Sequence, residues 1–161
     1  MEILTLGNEL LRQRTERINS INSEVTHIAA KMLELLIQQK GIGLAGPQVG
    51  YMHRIFVAKL EKSPGLVFIN PSVIETSEET EKCEEGCLSL PGVWADVVRP
   101  SSVRVQAWNE KGRPFTLETN GLLARCILHE LDHLDGVLFI DHLSEVKRNR
   151  LLAKFEKGQR V

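Results

Sequence analysis

The feature that most constrains this chain is a pair of histidines four residues apart, in the segment His129-Glu130-Leu131-Asp132-His133. In an α-helix, positions i and i+4 lie about 40° apart around the axis and one turn along it, so both imidazoles face one side. Two neutral imidazoles on one face can bind a single metal ion, and a glutamate beside them can hold a proton for a water molecule. The pattern therefore predicts a helix that contributes two metal ligands and an acid–base carboxylate.

The residues before this pair favour its burial. Leu122 and Cys126 precede His129 at helical spacing and extend the same stripe. Buried imidazoles need polar partners, and a metal ion supplies one. We predict a helix near 121–134 that ends before Gly136, with its histidine face turned inward.

The helix by itself does not identify the third metal ligand. One metalloprotease pattern requires another histidine where this chain has Phe139, and a second pattern offers only Glu145 and Glu156, which lie in a basic segment. Cys126 lies on the same face, but three ligands from one straight helix rarely converge. Cys87, flanked by glycines and a proline, offers a thiolate from a separate strand and leaves a fourth position for water. Spacing alone indicates a transition metal, of which zinc is the most typical.

Composition narrows the class of protein. The chain has 161 residues, a formal net charge of −1 and three cysteines. This length predicts one domain, 1–161, with a sizeable core. The balanced charge argues against DNA or a membrane surface as partner, and the odd, low cysteine count favours a reducing compartment, so we expect a cytoplasmic protein. The segment 144–161 carries six basic residues against two glutamates and predicts a basic C-terminal helix or tail.

Hydrophobic periodicity predicts further elements. An apolar stripe indicates a helix near 24–40, with Asn22 or Ser23 as its cap and Gly41 just past its end. Four glycines and a proline in residues 41–50 exclude a regular helix or central strand there. Short strands are expected at Ile55–Ala58, Leu66–Ile69, Val103–Ala107, Phe115–Leu117 and, as a short strand or edge, Val137–Ile140.

Three segments together resemble the peptide deformylase family. Residues 41–48, GIGLAGPQ, resemble the family motif G-x-G-L-A-A-P-Q; residues 85–89, EGCLS, match E-G-C-L-S; and residues 129–133, HELDH, match H-E-x-D-H. The order and spacing of the motifs agree. Two positions depart from the pattern: Gly46 replaces the second alanine, and Leu128 stands where many members carry glutamine.

This resemblance implies an α+β fold in which antiparallel strands surround a central H-E-x-x-H helix, with an N-terminal and a C-terminal helix. It implies removal of the N-formyl group from the initiator formyl-methionine of nascent polypeptides, with release of formate. The cofactor expected natively is Fe²⁺, and Ni²⁺, Co²⁺ or Zn²⁺ can occupy the site in a purified sample. N-formyl-methionyl nascent peptides are the expected partners, with the ribosome as a further one through the basic C-terminal helix.

The family's functional residues carry over to matching positions. The implied metal ligands are Cys87, His129 and His133. The resemblance implies a metal-bound hydroxide as nucleophile, with Glu130 as general base and then general acid. The implied donors to the formyl oxygen are the Gln48 side-chain amide and the Leu88 backbone N–H. Gly43 is expected to let the substrate backbone pair along the strand edge, and the expected walls of the methionine pocket are Ile42, Leu122 and Cys126. Glu85 is expected to pair with Arg99 and brace the Cys87 loop.

Two other functions remain open at this point. One is a metallopeptidase of the H-E-x-x-H type that cleaves internal peptide bonds. The other is a non-catalytic metal-binding or ribosome-associated module anchored by residues 144–161, a reading that leaves Glu130 and Gln48 unexplained. Turnover of a formylated peptide separates the deformylase from both.

Overall fold

The computed structural model describes residues 1–158. Over this range the chain forms three α-helices and seven strands, joined in part by short 3₁₀ turns. In chain order they are α1 (Ser23–Gln38), β1 (Gly43–Ala45), β2 (Ile55–Ala58), β3 (Leu66–Thr76), β4 (Thr80–Cys87), β5 (Leu90–Pro100), β6 (Ser102–Trp108), β7 (Pro114–Asn120), α2 (Gly121–Leu134) and α3 (Glu145–Gly158). The 3₁₀ turns are Glu9–Arg12, Gly46–Val49 and Phe139–His142.

Helix α1 begins as predicted and ends differently. The Asn22 side chain caps its first turn, as expected. At the other end Lys40, not Gly41, adopts the left-handed conformation with φ 56°. The N–H of Gly41 then donates to the Leu36 carbonyl at 3.2 Å, which completes a Schellman motif. Gly41 itself packs closely, because a Cβ there would lie 2.9 Å from the Cδ1 atoms of Leu36 and Leu88.

Five strands form an antiparallel sheet in the order β1-β2-β3-β6-β7. Strand β2 is covered on both faces, and its side chains alternate between two cores. Phe56 and Ala58 join the core against α2, whereas Ile55 and Val57 join the core against α1. This burial explains the short continuous apolar run of β2, and its predicted bounds are confirmed.

Strands β4 and β5 form a separate two-stranded sheet that the sequence did not reveal. It packs against the segment after α2 and against α3, around Phe139, Ile140 and Phe155. The predicted strand at Val137–Ile140 is wrong. Phe139–His142 instead forms a 3₁₀ turn, whose apolar residues are buried by side-chain packing rather than by strand pairing. The last three residues of the predicted 144–161 helix or tail lie outside the described residues.

Helix α2 occupies the bounds expected for the H-E-x-x-H helix and contacts strands of both sheets. Asn120 stands at its N-cap position but its side chain makes no capping bond, and Gly136 follows its end with φ 76°. The predicted α+β fold, with antiparallel strands around this helix and helices nearer each terminus, is confirmed. Within residues 1–158, no helix combines the length and the apolar character that crossing a membrane requires.

Candidate metal centre

Three side chains that could bind a metal ion meet at α2. Cys87, at the end of β4, joins His129 and His133, and one donor atom from each lies within 4.8 Å of the others. The Cys87 sulfur is 3.3 Å from Nε2 of His133. Residues 1–158 contain no other such group of three or more histidine, cysteine or acidic side chains. One sulfur and two imidazole nitrogens form a donor set that suits Zn²⁺, Fe²⁺, Co²⁺ or Ni²⁺.

The other candidates for third ligand lie elsewhere. The Cys126 sulfur donates to the Ile42 carbonyl at 3.4 Å, and burial together with the Glu130 charge raises the pKa of its thiol, which keeps it protonated. Phe139 is buried in the core, and Glu145 is exposed on α3, as is Glu156. Of the candidates that the sequence offered, Cys87 alone lies with both histidines.

The two imidazoles have different surroundings. Nδ1 of His129 lies 2.8 Å from Oε1 of Glu85, which fixes the ring and leaves Nε2 for the ligand cluster. Burial by itself would lower the pKa of His129, but the Glu130 charge and hydrogen bonds with Cys87 and Glu85 raise it. Burial lowers the pKa of His133, and the His129 charge lowers it further. Nδ1 of His133 is buried without a hydrogen-bond partner among the described residues.

Glu130 is a buried carboxyl that faces the cleft. Its Oε1 has no hydrogen-bond partner within residues 1–158. Burial raises its pKa to about 7, against the positive charges of His129 and Arg99, which lower it. A carboxyl with such a pKa can accept and return a proton near neutral pH. Gly43 allows this placement, because a Cβ there would lie 2.5 Å from Oε2 of Glu130 and 2.7 Å from the Cys126 sulfur.

Gln48 holds its amide toward the same cluster. Its Oε1 accepts a hydrogen bond from the Ala45 N–H at 2.9 Å, which fixes the orientation of the side chain. Its Nε2 donates to the Ser89 hydroxyl at 3.1 Å and lies 3.5 Å from the Cys87 sulfur. Leu88 follows Cys87 in the turn between β4 and β5 and lines the cleft. A neutral donor therefore lies next to the candidate metal ligands.

A cleft of about 550 Å³ opens beside these groups. Its wall includes the side chains expected to bind substrate, which are Ile42, Gly43, Leu122 and Cys126. Cys126 is buried at the base, whereas Ile42 and Leu122 are 39% and 55% exposed. The pocket is thus closed at its inner end and open to solvent at its mouth.

Next to the ligand cluster lies an ionic network with a buried centre, which we call the brace: Glu85, Arg99, Arg125, Asp132 and His142. The predicted pair is confirmed, since Arg99 donates to both oxygens of Glu85 at 2.6 and 3.0 Å. Arg125 donates to Glu85 at 2.6 Å. Arg99 also donates to Asp132, which lies 2.8 Å from Nε2 of His142. Burial would raise the pKa of Glu85, but hydrogen bonds with His129 and Arg99 hold it at about 2.

Two residues beside the cleft escaped the sequence analysis. Arg125 is buried, and it also donates to the carbonyls of Glu81 and Val97. A basic residue one helical turn before His129, in an otherwise apolar stripe, was a usable signal. Trp94 packs against Gly86, where any Cβ would collide with the indole ring. That contact has no signature in the sequence.

The two departures from the family motifs have structural explanations. At Gly46, a Cβ would collide with the Tyr51 carbonyl and lie 2.9 Å from the His53 carbonyl, so this chain needs glycine there. Leu128 packs against the main core and lines a second cavity with Leu131, away from the metal ligands. Neither departure removes a group from the ligand cluster.

Comparison with known proteins agrees with this geometry. The polypeptide deformylase family model matches residues 1–149. The chain is 47% identical to a peptide deformylase of Borreliella burgdorferi over 161 residues, with 98% of each protein covered. It is 43% identical to a peptide deformylase of Agrobacterium fabrum, with 99% of this chain and 96% of the relative covered.

Solved structures give the same result. A peptide deformylase from Synechococcus elongatus in complex with actinonin superposes with a TM-score of 0.92 at 44% identity, covering 97% of this chain and 86% of the other. One from Legionella pneumophila gives a TM-score of 0.94 at 35% identity, covering 99% and 95%. The chain therefore belongs to the polypeptide deformylase family.

Proposed function

We propose that the cleft removes the N-formyl group from formyl-methionyl nascent peptides by metal-dependent hydrolysis. The observation that carries this proposal is the convergence of three ligands beside Glu130, a buried carboxyl whose Oε1 is free of partners among the described residues. Membership of a family of deformylases supports the reaction class. The proposal assigns the whole reaction to one catalytic domain.

Cys87, His129 and His133 would hold a divalent transition metal, with Fe²⁺ as the native ion and Ni²⁺, Co²⁺ or Zn²⁺ as substitutes. The fit rests on the donor set and on the spacing of the three atoms. When bound, such an ion supplies Lewis-acid chemistry, lowering the pKa of a water molecule and polarising a carbonyl group. Glu85 supports this by fixing the His129 ring, so that Nε2 faces the cluster.

Glu130 would move the proton. Its carboxylate takes a proton from the attacking water and returns it to the amine nitrogen as the formyl carbon–nitrogen bond breaks. A pKa near 7 suits both halves of this transfer, since the group can be deprotonated before attack and protonated after it. Formate and a free methionyl amine are the products.

The negative charge that develops on the formyl oxygen needs donors placed in advance. We assign this role to the Gln48 amide and to the backbone N–H of Leu88. The bond from Ala45 to Oε1 of Gln48 directs the amide NH₂ toward the cleft. Because glutamine is neutral, it donates without adding charge beside the metal ligands.

The substrate backbone would pair with the free edge of β1. Strand β1 pairs with β2 on one side, and the Lys59 N–H donates to the Ile42 carbonyl. In an antiparallel ladder the next residue points its backbone groups the other way, so those of Gly43 face the cleft. The methionine side chain would then enter the pocket formed by Ile42, Leu122 and Cys126.

The primary test is formate release from a formyl-Met peptide by protein purified without oxygen and loaded with Fe²⁺ or Ni²⁺. We expect rapid formate release from this peptide and no acetate release from the corresponding acetyl-Met peptide. A Glu130→Gln variant should keep its metal and lose about 10²–10⁴-fold in kcat. Metal loss in that variant would make Glu130 a ligand rather than the base. Cleavage of internal peptide bonds without formate release would favour a metallopeptidase instead.

We further propose that α3 docks on the ribosome in the cytoplasm, where formylated chains emerge. Lys147, Arg150 and Lys154 are exposed on this helix, whereas Phe155 is buried against β5. A Lys147→Glu, Arg150→Glu variant should therefore bind ribosomes more weakly and release formate from a short peptide at the normal rate. Unchanged ribosome binding at low salt would contradict the docking proposal.

A further inference from the structure

The segment before α1 touches the backbone of all three motif regions; we call residues 4–15 the N-terminal strap. The Leu4 N–H donates to the Gln48 carbonyl at 2.7 Å, and the Leu6 N–H donates to the Ser89 carbonyl at 2.9 Å. Further along, both the N–H and the hydroxyl of Thr15 donate to the carbonyl of Leu134, the residue after His133. The strap therefore joins segments that are far apart in the sequence.

The first two bonds connect parts of the molecule that share no strand ladder. Gln48 follows β1 of the five-stranded sheet, whereas Ser89 lies in the turn of the separate β4–β5 sheet. Leu4 and Leu6 are only two residues apart, so a short stretch of backbone limits the distance between their N–H groups. The strap thus holds the carbonyls of Gln48 and Ser89 at a spacing set by its own backbone.

On the cleft side, the same two residues meet through their side chains, with the Gln48 amide bonded to the Ser89 hydroxyl at 3.1 Å. Each of the two residues is therefore held by two hydrogen bonds. Its carbonyl accepts one from the strap, and its side chain forms the other with its partner residue. Leu88, the proposed second donor to the formyl oxygen, directly precedes Ser89. Any slip between the two sheets would change the distance between the Gln48 amide and the Leu88 N–H.

We infer that Leu4 and Leu6 are positioning residues for the deformylation reaction, acting through their backbone N–H groups. They keep the two donors, the Gln48 amide and the Leu88 N–H, correctly placed for one developing oxyanion, although the two donors follow strands of different sheets. This inference rests on the proposed roles of Gln48 and Leu88. Because stabilisation of the transition state depends on preorganised donors, a displacement of about 1 Å can lower the rate by about 10²-fold without preventing substrate binding.

The test compares two variants of the metal-loaded protein at one position. Leu4→Pro removes the N–H, whereas Leu4→Ala loses the side chain and keeps the N–H. We expect kcat for a formyl-Met peptide to be about 10- to 100-fold lower in Leu4→Pro than in Leu4→Ala, with KM within about twofold. Metal content and the visible absorption spectrum of the Co²⁺ form should match in the two variants, because the Leu4 N–H bonds to the Gln48 carbonyl and not to a candidate ligand.

A double-mutant cycle separates positioning from general support. In a Gln48→Ala background the extra loss from Leu4→Pro should fall below about threefold, because the donor being positioned is gone. The full loss in that background, a parallel loss of metal, or equal kcat for Leu4→Pro and Leu4→Ala would overturn the inference. If Leu4→Pro does not fold, the α-hydroxy acid analogue of Leu4 replaces the N–H by oxygen and carries the same comparison.

The outcomes also distinguish this inference from the proposed function. Failure of the unaltered protein to release formate would overturn both. Normal formate release by the unaltered protein, with equal rates for the proline and alanine variants, would overturn the positioning role alone.

Discussion

Two groups of buried polar atoms around helix α2 are satisfied to different extents. On the helix itself, Oε1 of Glu130 and Nδ1 of His133 have no hydrogen-bond partner within residues 1–158. In the brace, both oxygens of Glu85 accept hydrogen bonds, from Arg99, Arg125 and, at 2.8 Å, His129. A saturated ionic network therefore adjoins unsaturated polar atoms at the same candidate site.

This difference separates the groups that would support the site from the groups that would take part in the reaction. A buried polar atom without a partner costs about 1–3 kcal/mol, so such atoms persist only where the rest of the structure fixes them. The brace supplies that rigidity, because Glu85 ties β4, β5 and α2 together through His129, Arg99 and Arg125. The polar atoms without partners keep their hydrogen-bonding capacity, which a substrate or a metal ion can use.

The largest effect should come from the cleft side, at Cys87. Cys87→Ala leaves only two imidazoles, too few to hold a catalytic metal in the usual three-ligand arrangement. We expect no detectable metal and no formate release. Cys83→Ala is the matched control, because Cys83 is an exposed thiol on the same strand. Full activity of Cys87→Ala, measured beside its metal content, would exclude the assigned ligand set.

A steric change should disturb the proposed base while sparing the ligands. Gly43→Ala would bring a Cβ within 2.5 Å of Oε2 of Glu130, so the carboxylate or β1 must shift. We expect kcat to fall by about 10²-fold with unchanged metal content. Gly158→Ala, which has open space around it, serves as control. Normal turnover in Gly43→Ala would show that the position of Glu130 is not critical.

A change in the brace should affect binding of the metal and stability together. Glu85→Gln removes the charge that Arg99 and Arg125 share and weakens the hold on the His129 ring. We expect metal affinity to fall 10- to 100-fold and the free energy of unfolding to fall by about 3–5 kcal/mol. Chelator competition and urea unfolding measure these.

The control is Glu84→Gln, which makes the same change of charge at the neighbouring, exposed position. It should lower neither metal affinity nor the free energy of unfolding. If Glu85→Gln retained both metal affinity and stability, the brace would have no supporting role.

The H-E-x-x-H helix and its candidate ligand face were predictable from the sequence because both have local signatures. The spacing of His129 and His133 fixes a helical face, and the stripe before them predicts the bounds of α2. The Glu85–Arg99 pair and the inclusion of Cys87 were also expected. Family motifs added Gln48, whose amide lies 3.5 Å from the Cys87 sulfur.

The remaining structure depends on contacts that no local pattern records. Strand β4 carries exposed glutamates over most of its length, so it lacks the alternating apolar residues that predict a strand. The run at 137–140 is too short to distinguish a strand from a buried turn. Backbone bonds such as that from Leu4 to Gln48 leave no signature in side chains. The sequence therefore predicts which candidate groups converge better than it predicts what holds them in place.

An exposed ion pair outside the brace should show the smallest effect. Arg12 and Asp141 lie 2.6 Å apart with side chains 44% and 30% exposed. Burial acts to raise the pKa of Asp141, but hydrogen bonds from Arg12 and the Leu138 N–H lower it below its ordinary value. Because the folded-state pKa is the lower one, the stabilisation is present above the pKa of the unfolded chain and is lost as pH falls through the folded-state pKa.

Asp141→Asn should therefore lower the free energy of unfolding by less than about 1 kcal/mol at neutral pH, with formate release unchanged. The gap between the two proteins should close in acid, where the carboxyl is protonated, and it should shrink with added salt. Urea unfolding across this pH range measures it. A gap as large as that of Glu85→Gln, or one that grows in acid, would mean that exposed pairs stabilise this fold as much as the buried brace does.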